Sequence, residues 1–184
     1  MYPWGLEGDL LTNAKAYSCE IDSVEYCEFI RVICQVLCYR KSVVENLLEE
    51  FKRCYESFGQ HSLEKLDQIY AENVVFIDPL HHIHGKRQLK AYLRNLCQNL
   101  SECRFEFAEE IVSDNRVCFK WQMHYRHLSI KNNQELVLPG MSLISFSDKI
   151  DSHEDYYDMG AMVYEHIPLV GSAINLIKSR MVKE

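Results

Sequence analysis

The stretch Asp148-Lys-Ile-Asp-Ser-His-Glu-Asp-Tyr-Tyr-Asp-Met159 decides how this chain is read. Ser147-Asp148 signals a turn. Ile150 to Asp158 then reads as a strand that carries acidic and aromatic side chains where a core strand carries valines. Side chains alternate across a strand, so Asp151, His153, Asp155 and Tyr157 share one face. Ile150, Ser152, Glu154, Tyr156 and Asp158 share the other. Neither face is cleanly apolar. Such a strand either lies open to water or lines a polar-bottomed cavity, and a cavity implies a ligand.

Upstream of it the period is also two. Arg104 to Val112, Arg116 to Leu128 and Glu135 to Phe146 are expected strands, separated by turns at Ser113-Asp-Asn115 and Lys131-Asn-Asn133. Pro139-Gly140 predicts a bulge or bend in the last of them. Before Arg104 the period is helical. Ser42 with Glu45 forms a capping box opening a helix to Phe58, with Val43, Leu47, Phe51, Cys54 and Phe58 as its apolar stripe. Ser62 is the expected cap of a short helix over residues 63–70, and Val74 to Asp78 is a strand stopped by Pro79. Gly85 leads into a third helix over residues 86–100, with Leu89, Tyr92, Leu93 and Leu96 inward. Helices followed by a four-strand antiparallel meander make an α+β pattern.

The bulk properties exclude more than they assign. A formal charge of -7 over 184 residues argues against a partner in duplex nucleic acid, which needs a basic face. The N-terminus lacks the basic and apolar regions of a signal peptide, and no apolar run approaches the ~20 residues of a membrane span. The expectation is a cytoplasmic protein whose eight cysteines are reduced. Residues 1–41 are either an N-terminal extension packed on the domain or upstream sequence from a wrongly chosen start codon. The domain proper is expected over 42–166. The amphipathic tail, 167–184, with Leu169, Val170, Ala173, Ile174, Leu176, Ile177 and Met181 at helical spacing, is expected to pack on the sheet or the cavity mouth, with a dimer contact or a membrane-surface helix as the alternatives.

Two segments carry a family resemblance. Glu154-Asp-Tyr-Tyr-Asp158 resembles the Arg-Asp-Tyr-Phe-Asp signature of the limonene epoxide hydrolase branch of the SnoaL-like, nuclear transport factor 2-like superfamily. Ile69-Tyr-Ala-Glu-Asn-Val-Val-Phe-Ile-Asp-Pro-Leu80, followed by Gly85, is similar to the superfamily's opening. The resemblance spans about Val43 to His166. It implies a cone-shaped curved antiparallel sheet wrapped by three N-terminal helices, with a ligand cavity along the cone axis. It also implies a homodimer, expected through the outer sheet face that carries Lys120, Gln122, His124 and Arg126.

Carried over position by position, the epoxide hydrolase relay fails. The base position is kept as Asp155, but the arginine becomes Trp121 and its aspartate partner Met123. The water-holding tyrosine becomes Phe76, and the asparagine becomes Asp78. Tryptophan and methionine cannot run an Asp-Arg-Asp relay, so epoxide hydrolysis is rejected. What the resemblance leaves is a cone lined by Phe76, Trp121, Met123 and Tyr157, with Asp78 and Asp155 facing inward. His153, on the same strand face as Asp155, is the candidate second acid-base group. Paired carboxyls in an apolar pocket equip an isomerase, cyclase or hydratase for proton transfer on an apolar small molecule. The alternative is a non-catalytic ligand-binding or protein-interaction domain of the same fold. No cofactor is expected. Asp78, His81, His82 and His84 invite a metal reading, but the resemblance places that loop at the start of a helix without metal, so no metal is expected.

Overall fold

The computed structural model of the chain describes residues 23–59 and 61–181. Of the N-terminal extension, residues 1–22 lie outside the described residues, as do 182–184 at the end of the tail. Contacts divide the chain into two units, one ending at Ser42 and the other beginning at Val43.

Helix α1 covers Ser23–Glu56 without interruption. The expected helix start at Ser42 is therefore corrected. Its hydroxyl donates to the Tyr39 carbonyl at 2.8 Å, a back-bond within a helix rather than a cap. From Leu47 onward the helix buries Leu47, Leu48, Phe51, Cys54 and Tyr55. Helix α2 (Ser62–Ile69) buries Leu63, Leu66 and Ile69. Ser62 lies inside α2 instead of capping it, and its hydroxyl donates to the Ser57 carbonyl. Strand β1 (Tyr70–Ile77) follows directly, then β2 (His82–His84), which the sequence read as loop. Gly85 opens helix α3 (Lys86–Asn99) at φ 87, a left-handed conformation natural to glycine.

Strands β3 (Leu100–Ser113), β4 (Arg116–His127), β5 (Leu136–Phe146) and β6 (Ile150–Tyr157) form the expected meander. The sheet order among the described residues is β2-β1-β6-β5-β4-β3, with β1 parallel to β6 and the other pairs antiparallel. Alternation along β4 is clean. Val117, Phe119, Trp121, Met123 and Tyr125 are buried against the helices, while Lys120 and Gln122 stay in water. Phe51 of α1 stacks on Phe119 at 5.3 Å, which ties helix to sheet.

Pro139-Gly140 makes no bulge. β4 and β5 pair in unbroken register, Gln122 to Pro139 and Trp121 to Gly140. The glycine instead makes room, because a Cβ there would run into the Trp121 ring. Among the described residues β3 is irregular at two places, Leu100/Glu102 and Phe107/Glu109, and β6 carries a bulge opposite the end of β5. Ser145 pairs with Ser152 and Phe146 with Ile150, so Asp151 is the extra residue. That irregularity lets both Ile150 and His153 point into the core.

Beyond β6, Asp158 caps the short helix α4 (Met159–Met162), accepting from the Gly160 and Ala161 amides. Helix α5 (Val170–Met181) does not bury its stripe, against expectation: Leu176, Ile177 and Met181 are exposed. It rests on the turn Tyr164–His166, where Gly171 closes against the Glu165 backbone and Lys178 pairs with Glu165. No described helix is long and apolar enough to cross a membrane.

Candidate functional site

The inner faces of β1, β4, β5 and β6 meet helices α1 and α3 around a small cavity. Phe76 comes from β1, Trp121 and Met123 from β4, and Asp155 and Tyr157 from β6. Asp78 follows β1, and Tyr55, Tyr92, Phe105, Leu138 and Met162 complete most of the wall. Six of the seven residues singled out in the sequence therefore line one space. The seventh, His153, does not. It is 1% exposed and sits behind Asp155. The space left open is about 50 Å³, room for a few waters at ~10–15 Å³ each.

The two carboxylates are held differently. Asp78 is saturated. Its Oδ1 accepts from the amides of Leu80 (2.8 Å) and His81 (2.6 Å) and lies 3.2 Å from His81 Nδ1. Its Oδ2 accepts from the Tyr92 hydroxyl at 2.5 Å and, loosely, from Tyr157 at 3.5 Å. Such an Asx arrangement anchors the turn through Pro79. Among the described residues, Asp155 is held on one side only. Its Oδ1 accepts from the Ser142 hydroxyl at 2.5 Å and is 2.9 Å from His153 Nε2. Ser142 Oγ in turn accepts from Trp121 Nε1 at 2.8 Å.

Behind His153 the chain of contacts continues. His153 Nδ1 is 2.6 Å from the Tyr70 hydroxyl, and Tyr70 is 2.9 Å from the Tyr55 hydroxyl. Burial raises both of these phenols well above the ordinary tyrosine range. Tyr92 and Tyr157 are also raised, first by burial and then by Asp78. All four stay protonated, and so act as donors, in neutral solution.

Reading the sequence missed Tyr55, Tyr70, Ser142 and, as a polar contact, Tyr92. Two of them had a signal. Tyr55 is four residues past Phe51 on the inward stripe of α1, and Ser142 is the cross-strand partner of Asp155. Tyr70 had none, because its link to His153 spans 83 residues.

The chain matches the SnoaL-like domain over residues 51–153. Its fold is similar to that of a hypothetical protein with a ketosteroid isomerase-like fold from Catenulispora acidiphila, in complex with trimethylamine. The two share 11% identity, with 65% of this chain and 90% of that one covered and a TM-score of 0.57. A candidate SnoaL-like polyketide cyclase from Shewanella putrefaciens shares 15% identity over 64% of this chain and 91% of its own, with a TM-score of 0.56. A nuclear transport factor 2-like protein of unknown function from Burkholderia pseudomallei shares 20% over 64% and 95%, also at 0.56. At these identities the likeness establishes the fold alone. No curated protein is significantly similar to the chain.

Proposed function

The chain belongs to the SnoaL-like domain family, and from that premise we propose that it is an acid–base enzyme acting on a compact apolar carbonyl compound. The observation that carries this reading is the one-sided clamp on Asp155. Ser142 and His153 occupy Oδ1, while the residue lines the cavity. That leaves Oδ2 to take a proton from a carbon next to the substrate carbonyl. The electron pair of the broken C–H bond moves onto the carbonyl oxygen as an enolate. Tyr157, only loosely tied to Asp78, donates to that oxygen. Asp78 positions Tyr157 and Tyr92, and Phe76, Trp121 and Met123 keep water away.

The test is hydrogen–deuterium exchange at the α-carbons of acetone, butanone and cyclohexanone in heavy water, followed by NMR. Wild type should exchange at least one of them faster than buffer. Asp155→Asn keeps an acceptor for Ser142 and His153 but removes the base, so exchange should fall by about 10²–10⁴-fold with little loss of stability. No exchange above buffer with any of the three would sink the enzyme reading. A loss of ~1–3 kcal/mol in Asp155→Asn would mark the residue as a strut. The small cavity favours a second reading, a binding domain whose own side chains fill the cone.

As its partner we propose a second copy of the chain, docked through the outer face of the sheet. Lys120, Gln122, His124 and Arg126 alternate outward on β4, and the neighbouring strands add exposed Val137, Met141, Leu143 and Tyr156. Met141 lies directly across from both Lys120 and Tyr156. Sedimentation should give a dimer at micromolar concentration and a monomer for Met141→Asp/Leu143→Asp. A wild-type monomer would count against the interface.

A further inference from the structure

We infer that Tyr70, backed by Tyr55, is a positioning residue for Asp155: it fixes the proton of His153 on Nε2, so that the imidazole donates to one carboxylate oxygen and leaves the other to the substrate. The inference rests on the reading of Asp155 as the functional carboxylate.

Tyr55 is 5% exposed, and the only hydrogen bond its hydroxyl makes among the described residues is the one to Tyr70. Turned away from that partner, the O–H would have no protein acceptor among the described residues, so the Tyr55 hydrogen points at the Tyr70 oxygen. Tyr70 is wholly buried and has one other partner, so its own hydrogen points at His153 Nδ1. Nδ1 then accepts, and the imidazole proton sits on Nε2, which faces Asp155 Oδ1 at 2.9 Å. The opposite direction would leave the Tyr55 hydrogen without a protein acceptor among the described residues and bring lone pairs together between Nε2 and Oδ1, since Ser142 Oγ, 3.3 Å from Nε2, gives its own hydrogen to Oδ1. Trp121 through Ser142 makes a second donor chain ending on the same oxygen. Two lines of donors thus converge on Oδ1. The raised phenols of Tyr55 and Tyr70 support the assignment, since both hydroxyls keep their hydrogens.

This places His153 outside the role of a second acid-base group at the cavity. It never reaches the substrate. It transmits the direction set by Tyr70, as an outer partner fixes the tautomer of a ligating histidine.

The experiment is a long-range proton–nitrogen NMR correlation on protein labelled at histidine nitrogens, with the His153 signals assigned by their loss in His153→Asn. In wild type at neutral pH, His153 should appear as the single Nε2–H tautomer. It should remain so in Asp155→Ala, because Tyr70 still occupies Nδ1. In Asp155→Ala/Tyr70→Phe the single-tautomer signature should disappear. Tyr70→Phe alone should lower Asp155-dependent exchange by about 10-fold. A wild-type His153 protonated on Nδ1, or on both nitrogens, overturns the inference, as does a tautomer change in Asp155→Ala. The wild-type spectrum decides even if Tyr70→Phe fails to fold. Absence of exchange with an Nε2–H His153 overturns the enzyme reading and leaves the positioning intact.

Discussion

Raising the pH past 10 should unfold the domain cooperatively. In an unfolded chain, tyrosine ionises near pH 10. In the fold, burial holds Tyr55 and Tyr70 protonated well above that. Their contribution to stability is therefore complete below about pH 10, where both states carry the proton. It is lost as pH rises from there toward the folded values, because the unfolded state sheds protons the folded state keeps. While both stay protonated in the fold, each costs about 1.4 kcal/mol per pH unit above the unfolded value, so the slope for the pair is twice that of a single tyrosine. Urea midpoints measured from pH 9 to 12 should fall steeply, and a further rise in phenolate absorbance, beyond that of exposed tyrosines such as Tyr39, Tyr156 and Tyr164, should accompany loss of the fold. Tyr70→Phe should flatten the fall by about one proton. Phenolate signals from both residues near pH 10 in the intact fold would show that the hydroxyls are not sequestered.

Trp121→Ala should be the most damaging single change at the cavity wall. The indole is buried, meets Phe105 edge-on at 5.1 Å and donates to Ser142 at 2.8 Å. It also covers the Cα of Gly140, so alanine would leave a void with a glycine floor that cannot fill it. Large-to-small changes of this kind cost about 3–5 kcal/mol. The void is lined mostly by apolar side chains, with the Ser142 hydroxyl at one end, and apolar voids bind apolar guests. Urea denaturation should show the loss, and benzene should raise the melting temperature of the variant but not of wild type. A cost below about 1 kcal/mol would mean that the surrounding walls collapse onto the site.

The meander was legible because its pattern is local. Val117, Phe119, Trp121, Met123 and Tyr125 alternate with charged and polar residues, and the turns between strands carry Asp and Asn. The cavity wall was legible through the family resemblance, which carried Phe76, Trp121, Met123 and Tyr157 over position by position, and these residues do line one space. Ser42 misled because a serine followed by glutamate at the third position reads as a start, whereas here its hydroxyl bonds back to Tyr39 in mid-helix. Pro139-Gly140 misled because the glycine serves Trp121 across the sheet, a demand that its own segment does not display. The setting of His153 was hidden most deeply. It depends on the parallel pairing of β1 with β6, which has no turn between the strands to announce it.

The unpaired Asp151 bears on how this gene can change. On one side of it Ile150 faces inward, and on the other so do His153 and Asp155, because the extra residue takes up the odd step. A lost codon at Asp151 would merely restore ordinary alternation, with Ile150 and His153 still inside. A lost codon at Glu154 would turn Asp155 out to solvent while every other residue of the chain stayed the same. The strand that carries Asp155 is thus forgiving of a shortened reading at one codon and closed to it three codons later. Descendants of this sequence can vary in length at the bulge long before they can vary in length at the site.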